Sequence, residues 1–184
     1  MRLFIAIELP ERLRRHLQRM QEILRPIFGG KPVRPEQLHL TLKFLGETPD
    51  ETLPRLVERL QTVEMGPIRM KTAGVVCFPP NGPVRIVAAA LDDQGLHCAQ
   101  LQSDIDQATH TAGFPLEARR WTPHVTLIRV KDRVPASART AGIAAVAELA
   151  EIEFEPDEFV LIQSNLDSVG PTYATLARFP VSAG

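Results

Sequence analysis

The chain has 184 residues, 44% of them apolar and 23% charged, with a formal net charge of −1. This length and mix fit a single domain able to bury its own core, and they exclude a disordered chain. The near-neutral charge also excludes a surface that is basic throughout, so any contact with nucleic acid has to be local.

In chain order, Arg2 to Glu8 alternates in the manner of a strand, and Pro10 opens a helix whose apolar stripe is Leu13, Leu17, Met20 and Leu24. Gly29 and Gly30 end it. Leu38 to Leu45 reads as a second strand. Thr48-Pro49-Asp50-Glu51 predicts a capping box with Pro at the first helical position, starting a helix through Leu53, Leu56 and Leu60. Strands near Ile68 to Phe78 and Arg85 to Leu91 flank a Pro-Pro-Asn-Gly-Pro turn. A helix carrying Leu101, Ile105, Ala108 and Ala112 then stops at Gly113. A strand follows over His124 to Val130, a helix over about Ala138 to Ala150, and strands near Glu158 to Leu166 and Thr172 to Phe179. Apolar stretches such as Ile86 to Leu91 fall far short of the roughly 20 residues that span a bilayer. The opening MRLFIAIELPERL does not read as a signal peptide, so a cytoplasmic protein with no membrane association is expected. Cys77 and Cys98 stand in no metal-ligand or redox spacing and read as core filler.

Both halves, about 1–91 and 92–184, run helix, strand with His-x-Thr-Leu, helix, strand, strand, a pseudo-repeat of about 85 residues. Tight strand connections predict antiparallel sheets with helices outside. The expected fold is α+β, a single domain of two pseudo-symmetric lobes facing a central cleft.

The repeated motifs are His39-Leu40-Thr41-Leu42 and His124-Val125-Thr126-Leu127. Side chains at i and i+2 of a strand share a face, so each His and its Thr look one way and the aliphatic residues the other. About 0.04 such four-residue motifs are expected by chance at this composition, and two occur. One strand histidine is usually structural, whereas a matched pair at equivalent places points to chemistry. Two histidines on opposite walls of a cleft suit in-line displacement at phosphorus, one accepting a proton from water and the other giving one to the leaving oxygen. Thr41 and Thr126 can donate hydrogen bonds to the non-bridging oxygens. No cofactor is then needed. A metal site would want further ligands, and no His-Glu-x-x-His or carboxylate-rich spacing accompanies either motif. A serine hydrolase would want a Gly-x-Ser-x-Gly elbow, which is missing. His16, His97 and His110 lie on predicted helices without partner patterns and read as structural or surface residues.

Five blocks carry a resemblance that spans nearly the whole chain: RLFIAIELP at the start, LHLTLKFLGE, FPP at Phe78 to Pro80, PHVTLIRV, and the closing LIQSNLDSVGPTYATLARFP. They resemble the two-histidine phosphoesterases, and within them the RNA 2′,3′-cyclic phosphodiesterases, also called 2′-5′ RNA ligase-like proteins. The resemblance implies hydrolysis of a terminal RNA 2′,3′-cyclic phosphate to a 2′-phosphate, with His39 as proton donor and His124 as proton acceptor. It implies RNA as the partner, with no obligate protein partner. It also makes the fifth residue after each motif histidine substrate-facing, which is Phe44 for base stacking and Arg129 for phosphate. Strict strand parity disputes this, since five is odd; it favours Lys43 and requires a bulge, a strand end or a reach round the edge for Arg129. Arg129 belongs to a local basic cluster with Arg119, Arg120, Lys131 and Arg133, against the single acid Asp132. Where many relatives have an aromatic residue after Arg-Val-Leu, this chain has Arg85-Ile86-Val87-Ala88, which implies a wider cleft wall and leaves base preference open. The alternatives are 2′-5′ RNA ligation at the same site and a non-catalytic module that binds RNA ends.

Overall fold

A computed structural model of the protein describes residues 1–167 and 170–181. Its strands are β1 (Arg2–Glu8), β2 (Lys31–Pro32), β3 (His39–Glu47), β4 (Arg69–Phe78), β5 (Ile86–Gln94), β6 (His124–Arg129), β7 (Glu153–Phe154), β8 (Glu158–Asp167) and β9 (Gly170–Pro180). Its α-helices are α1 (Glu11–Phe28), α2 (Leu53–Leu60), α3 (His97–Thr111) and α4 (Ala138–Ala145). The fold is α+β, with one sheet in the order β3-β1-β8-β9, a second in the order β2-β6-β5-β4-β7, and every pairing antiparallel.

The sheets are not the sequence halves. The pseudo-repeat is strand, helix, strand, helix, strand, first as β1-α1-β3-α2-β4 and then as β5-α3-β6-α4-β8. In each copy the first strand pairs with the motif strand, but the last strand joins the other sheet: β4 pairs with β5, and β8 with β1. The short Pro-rich turn between Phe78 and Ile86 forces β4 and β5 to neighbour each other, whichever half they come from. The two lobes are therefore interlocked, and the motif strands β3 and β6 sit in different sheets.

Packing follows the predicted stripes. Leu13, Leu17, Met20 and Leu24 of α1 are buried with Leu3, Ile5 and Ile7 of β1 in one continuous core. Gly29 and Gly30 end α1 at positive φ, and a Cβ on Gly30 would come within 2.5 Å of the Arg129 carbonyl oxygen. That glycine lets the chain turn directly against β6. The expected capping box does not form: a 3-10 turn over Asp50–Thr52 precedes α2, and the Thr48 hydroxyl donates to the Gly46 carbonyl. Helix α4 stops at Ala145 because it has little to bury, with Ala138 and Gly142 inward and Ile143 outward. Strands β2 and β7, two residues each, have no periodicity to betray them. No helix among the described residues is long and apolar enough to cross a membrane.

Candidate active site

The two motif strands share one burial pattern, because each carries the same irregularity. Both read half-buried, buried, half-buried, buried, buried, exposed from the histidine onward. Along β3 the partners on β1 are Glu8 for His39, Ala6 for Thr41 and Ile5 for Lys43, so Leu42 is skipped. Along β6 the partners on β5 are Ala90 for His124, Ala88 for Thr126 and Val87 for Ile128, so Leu127 is skipped. A β-bulge puts two consecutive side chains on the same side and reverses the parity of the residues after it. His39, Thr41 and Phe44 therefore share a face, as do His124, Thr126 and Arg129. Of the routes open to Arg129, the bulge is the one used.

The same bulge turns Lys43 inward, against the parity expectation that placed it at the cleft. Its ammonium is buried and donates to Asp106 Oδ1 at 2.5 Å, Thr109 Oγ1 at 2.8 Å and the Pro115 carbonyl at 2.8 Å. All three donors are used, and Asp106 also accepts from the Glu117 backbone N–H at 3.2 Å. Lys43 thus ties β3 to α3 and to the segment that leads to His124. On β6 a neutral side chain does the corresponding work. The Leu127 carbonyl, displaced by the bulge, accepts from Val33 N–H at 2.8 Å and from the Gln21 amide at 2.8 Å, and the same amide donates to the Val33 carbonyl.

The imidazoles are held alike. Nδ1 of His39 lies 2.7 Å from the Gln37 carbonyl oxygen, and Nδ1 of His124 lies 2.7 Å from that of Thr122. A carbonyl only accepts, so Nδ1 carries the hydrogen in both rings and Nε2 is left for proton traffic. A phenylalanine flanks each ring, Phe4 at 4.8 Å from His39 and Phe78 at 4.7 Å from His124, centre to centre. The indole N–H of Trp121 donates to the Thr41 carbonyl at 3.1 Å, joining the approach to one motif to the strand of the other. Among the described residues, neither the Thr41 nor the Thr126 hydroxyl is engaged by another group. Ala6 and Ala88, opposite these threonines, leave the cleft floor low.

Beyond these features the symmetry ends. His39 is enclosed by Phe4 and by Tyr173, whose ring centre is 5.6 Å away and edge-on. Burial pushes its pKa from 6.5 down to about 4, against the bond to Gln37, and the positive charges of Arg129 and His124 push the same way. The two histidines and Arg129 therefore share one electrostatic neighbourhood. Burial raises the Tyr173 phenol, while Arg129, Arg2 and Arg34 oppose the shift. On the other flank, Phe44, Phe78, Trp121 and Arg119 line a cavity of about 370 Å³ with Thr41 and His124. Phe44 is 64% exposed, so its face is open to a ligand. Among the described residues no three His, Cys, Asp or Glu side chains gather as a metal site would need.

His39, Thr41 and Phe44 thus share one face of β3, and His124, Thr126 and Arg129 the equivalent face of β6, while the Lys43 ammonium is turned into the interior. Sequence reading passed over Gln21, Gln37 and Trp121, whose roles depend on partners far along the chain, and over Tyr173 despite its place in the closing block. Of the five-residue basic cluster, Arg119, Arg120 and Arg129 line cavities at this cleft.

Comparison with known proteins matches the family described as LigT like Phosphoesterase twice along the chain, at residues 7–87 and 91–173. The chain is 37% identical to the RNA 2',3'-cyclic phosphodiesterase of Thermus thermophilus over 97% of its length and 89% of the relative's. It is 32% identical to the protein of that name from Archaeoglobus fulgidus, covering 97% and 99%. The crystal structure of TT0787 of Thermus thermophilus superimposes with a TM-score of 0.81 at 31% identity, covering 98% of each chain. Escherichia coli LigT in its apo form shares the fold, with a TM-score of 0.77 at 22% identity and coverage of 99% and 98%.

Proposed function

The chain belongs to the LigT like Phosphoesterase family, and from that membership we propose that it hydrolyses RNA 2′,3′-cyclic phosphate ends to 2′-phosphates without a metal. The observation that carries the chemistry is the pair of imidazoles fixed in one tautomer by backbone carbonyls, Nε2 free on each. In the reaction, water attacks phosphorus in line with the P–O3′ bond and His124 Nε2 takes its proton. As that bond breaks, His39 Nε2–H gives a proton to O3′, and the phosphate stays on O2′. The Thr41 and Thr126 hydroxyls donate to the non-bridging oxygens. Phe44 offers a stacking face for the base and Arg129 a guanidinium for phosphate.

The enclosure of His39 adds a condition. With a pKa of about 4 it is neutral in the free protein at pH 7, so the donor has to be charged after substrate arrives. A phosphodiester anion beside it counters the charges of Arg129 and His124 and favours the imidazolium. Substrate binding and proton uptake at His39 are thereby coupled, which makes a poor acid in the empty site a competent one in the complex.

The test is incubation with an oligonucleotide ending in a 2′,3′-cyclic phosphate in excess chelator. Full turnover to a 2′-phosphate is expected. Turnover abolished by chelator would replace the histidine pair by a metal mechanism. Retention without turnover would make the protein an RNA-end binder, and a 2′-5′ linked product would make it a ligase.

A further inference from the structure

Beside the acid–base pair lies a cationic recess that shares Arg129 with the hydrolytic site and adds cations the hydrolysis has not used. Two adjoining cavities share Arg129, Pro171 and Tyr173 as walls, one of them also lined by Lys31 and Arg34 and the other by Arg2 and Ser164. Their positions are held by the backbone. Arg34 Nη2 donates to the Pro171 carbonyl at 2.6 Å, and the Gln37 amide donates to the same oxygen. Arg34 also pairs with Glu36 at 3.3 Å, whereas Arg2, Lys31 and Arg129 have no acidic partner within salt-bridge range among the described residues. Lys31 and Arg129 are direct cross-strand partners on β2 and β6. Like charges placed opposite each other on an antiparallel pair cost stability unless an anion lies between them.

Distance gives the recess its meaning. Tyr173, a wall of both cavities, stands edge-on 5.6 Å from the His39 ring, so the recess directly adjoins the acid–base site. A cyclic phosphate held between the histidines has its ribose on the His39 side, because His39 serves the O3′ leaving oxygen. The O5′ of that ribose carries the next phosphodiester. Phe44 borders both the recess and the next cavity, where Phe78 and Trp121 continue a mainly aromatic wall that suits a base.

We propose that Arg2, Lys31 and Arg34, gathered with Arg129 around Tyr173, form a subsite for the internucleotide phosphate next to the terminal cyclic phosphate. The proposal rests on the hydrolytic reading of the histidine pair. It makes the protein selective for oligonucleotide ends over cyclic mononucleotides.

The experiment compares kcat/KM for adenosine 2′,3′-cyclic phosphate, for the dinucleotide with the same end, and for that dinucleotide with an uncharged methylphosphonate linkage. The wild type and an Arg2→Gln/Lys31→Gln double variant are measured side by side. One charge-assisted contact is worth about tenfold, so the dinucleotide should exceed the mononucleotide by about that factor or more. This ratio should fall several-fold with the methylphosphonate, several-fold in the double variant, and with rising salt. A wild-type ratio near one overturns the proposal, as does a ratio that survives either change. Turnover of no substrate at all overturns the hydrolytic reading instead, and the subsite falls with it.

Discussion

Strands β3 and β6 are built to one plan and finished differently. Each sets its histidine by Nδ1 to the carbonyl two residues earlier, and each skips a leucine so that the fifth residue regains the cleft. The bulge on β3 is held by a buried ion pair, Lys43 with Asp106, and that on β6 by the neutral Gln21 amide. The fifth residues are Phe44 and Arg129, and His39 is enclosed beside Tyr173, while the His124 Nδ1 contact lies at exposed surface. Duplication supplies two matched bases. Only the unmatched surroundings can make one of them an acid, since identical groups in identical settings would titrate together.

Removing the histidines breaks the comparison most severely. His39→Ala and His124→Ala should each lower kcat on a cyclic-phosphate dinucleotide by about 10² to 10⁴ with the fold intact by circular dichroism. A substrate with a nitrophenolate leaving group needs no proton donor. On it His39→Ala should lose little, and His124→Ala should still lose its full factor. Equal losses on both substrates would show that the two roles are not divided as assigned.

Next comes the ion pair. Lys43→Met leaves the Asp106 carboxylate without its cation in the interior, and urea denaturation should report a loss of about 3 to 5 kcal/mol. A loss below about 1 kcal/mol would mean that Asp106 is rescued by solvent.

The pH dependence of stability separates the two rings. The folded pKa of His39, about 4, lies below the 6.5 of an unfolded imidazole. Between those values the unfolded chain holds the extra proton, so stability is fully present above pH 6.5 and is lost as the pH falls towards 4. The contribution is up to ~3 kcal/mol. The difference in unfolding free energy between wild type and His39→Gln should shrink or invert over that window, and a parallel pair of curves would contradict the enclosure. In kinetics, the His39 limb should stand at higher pH in kcat than in kcat/KM, because the bound phosphate anion favours its protonated form.

The smallest effect sharpens the contrast on β6. Gln21→Leu strips one donor from the Leu127 carbonyl and one from that of Val33, at about 1 to 3 kcal/mol in thermal or urea unfolding. With the bulge loosened, Arg129 loses its aim, so KM should rise more than kcat falls. A variant with normal KM would show that Val33 alone holds the strand.

Much of the fold was readable because helix and strand periods are local. The α1 stripe, both motif strands and the two hairpins follow from residues a few positions apart, and the threonine two along from each histidine shares its face by strand geometry alone. Lys43 marks where that reading failed. Strict alternation assumes an unbroken ladder, and a bulge is a property of a strand pair that neither strand carries by itself. The exchange of last strands between repeats was equally hidden, since a period along the chain says nothing about which sheet a strand joins.

By itself the sequence determined the residue types of a two-histidine phosphoesterase, their duplication and their alternation, since these are written in neighbouring side chains. The tertiary structure alone decided that a bulge on each motif strand returns Phe44 and Arg129 to the histidine face while Lys43 is spent on Asp106, that one histidine is enclosed beside Tyr173, and that Arg2 and Arg34 stand near it. Those outcomes depend on burial and on fields from residues tens to more than a hundred positions apart, and such distances close only when the chain folds.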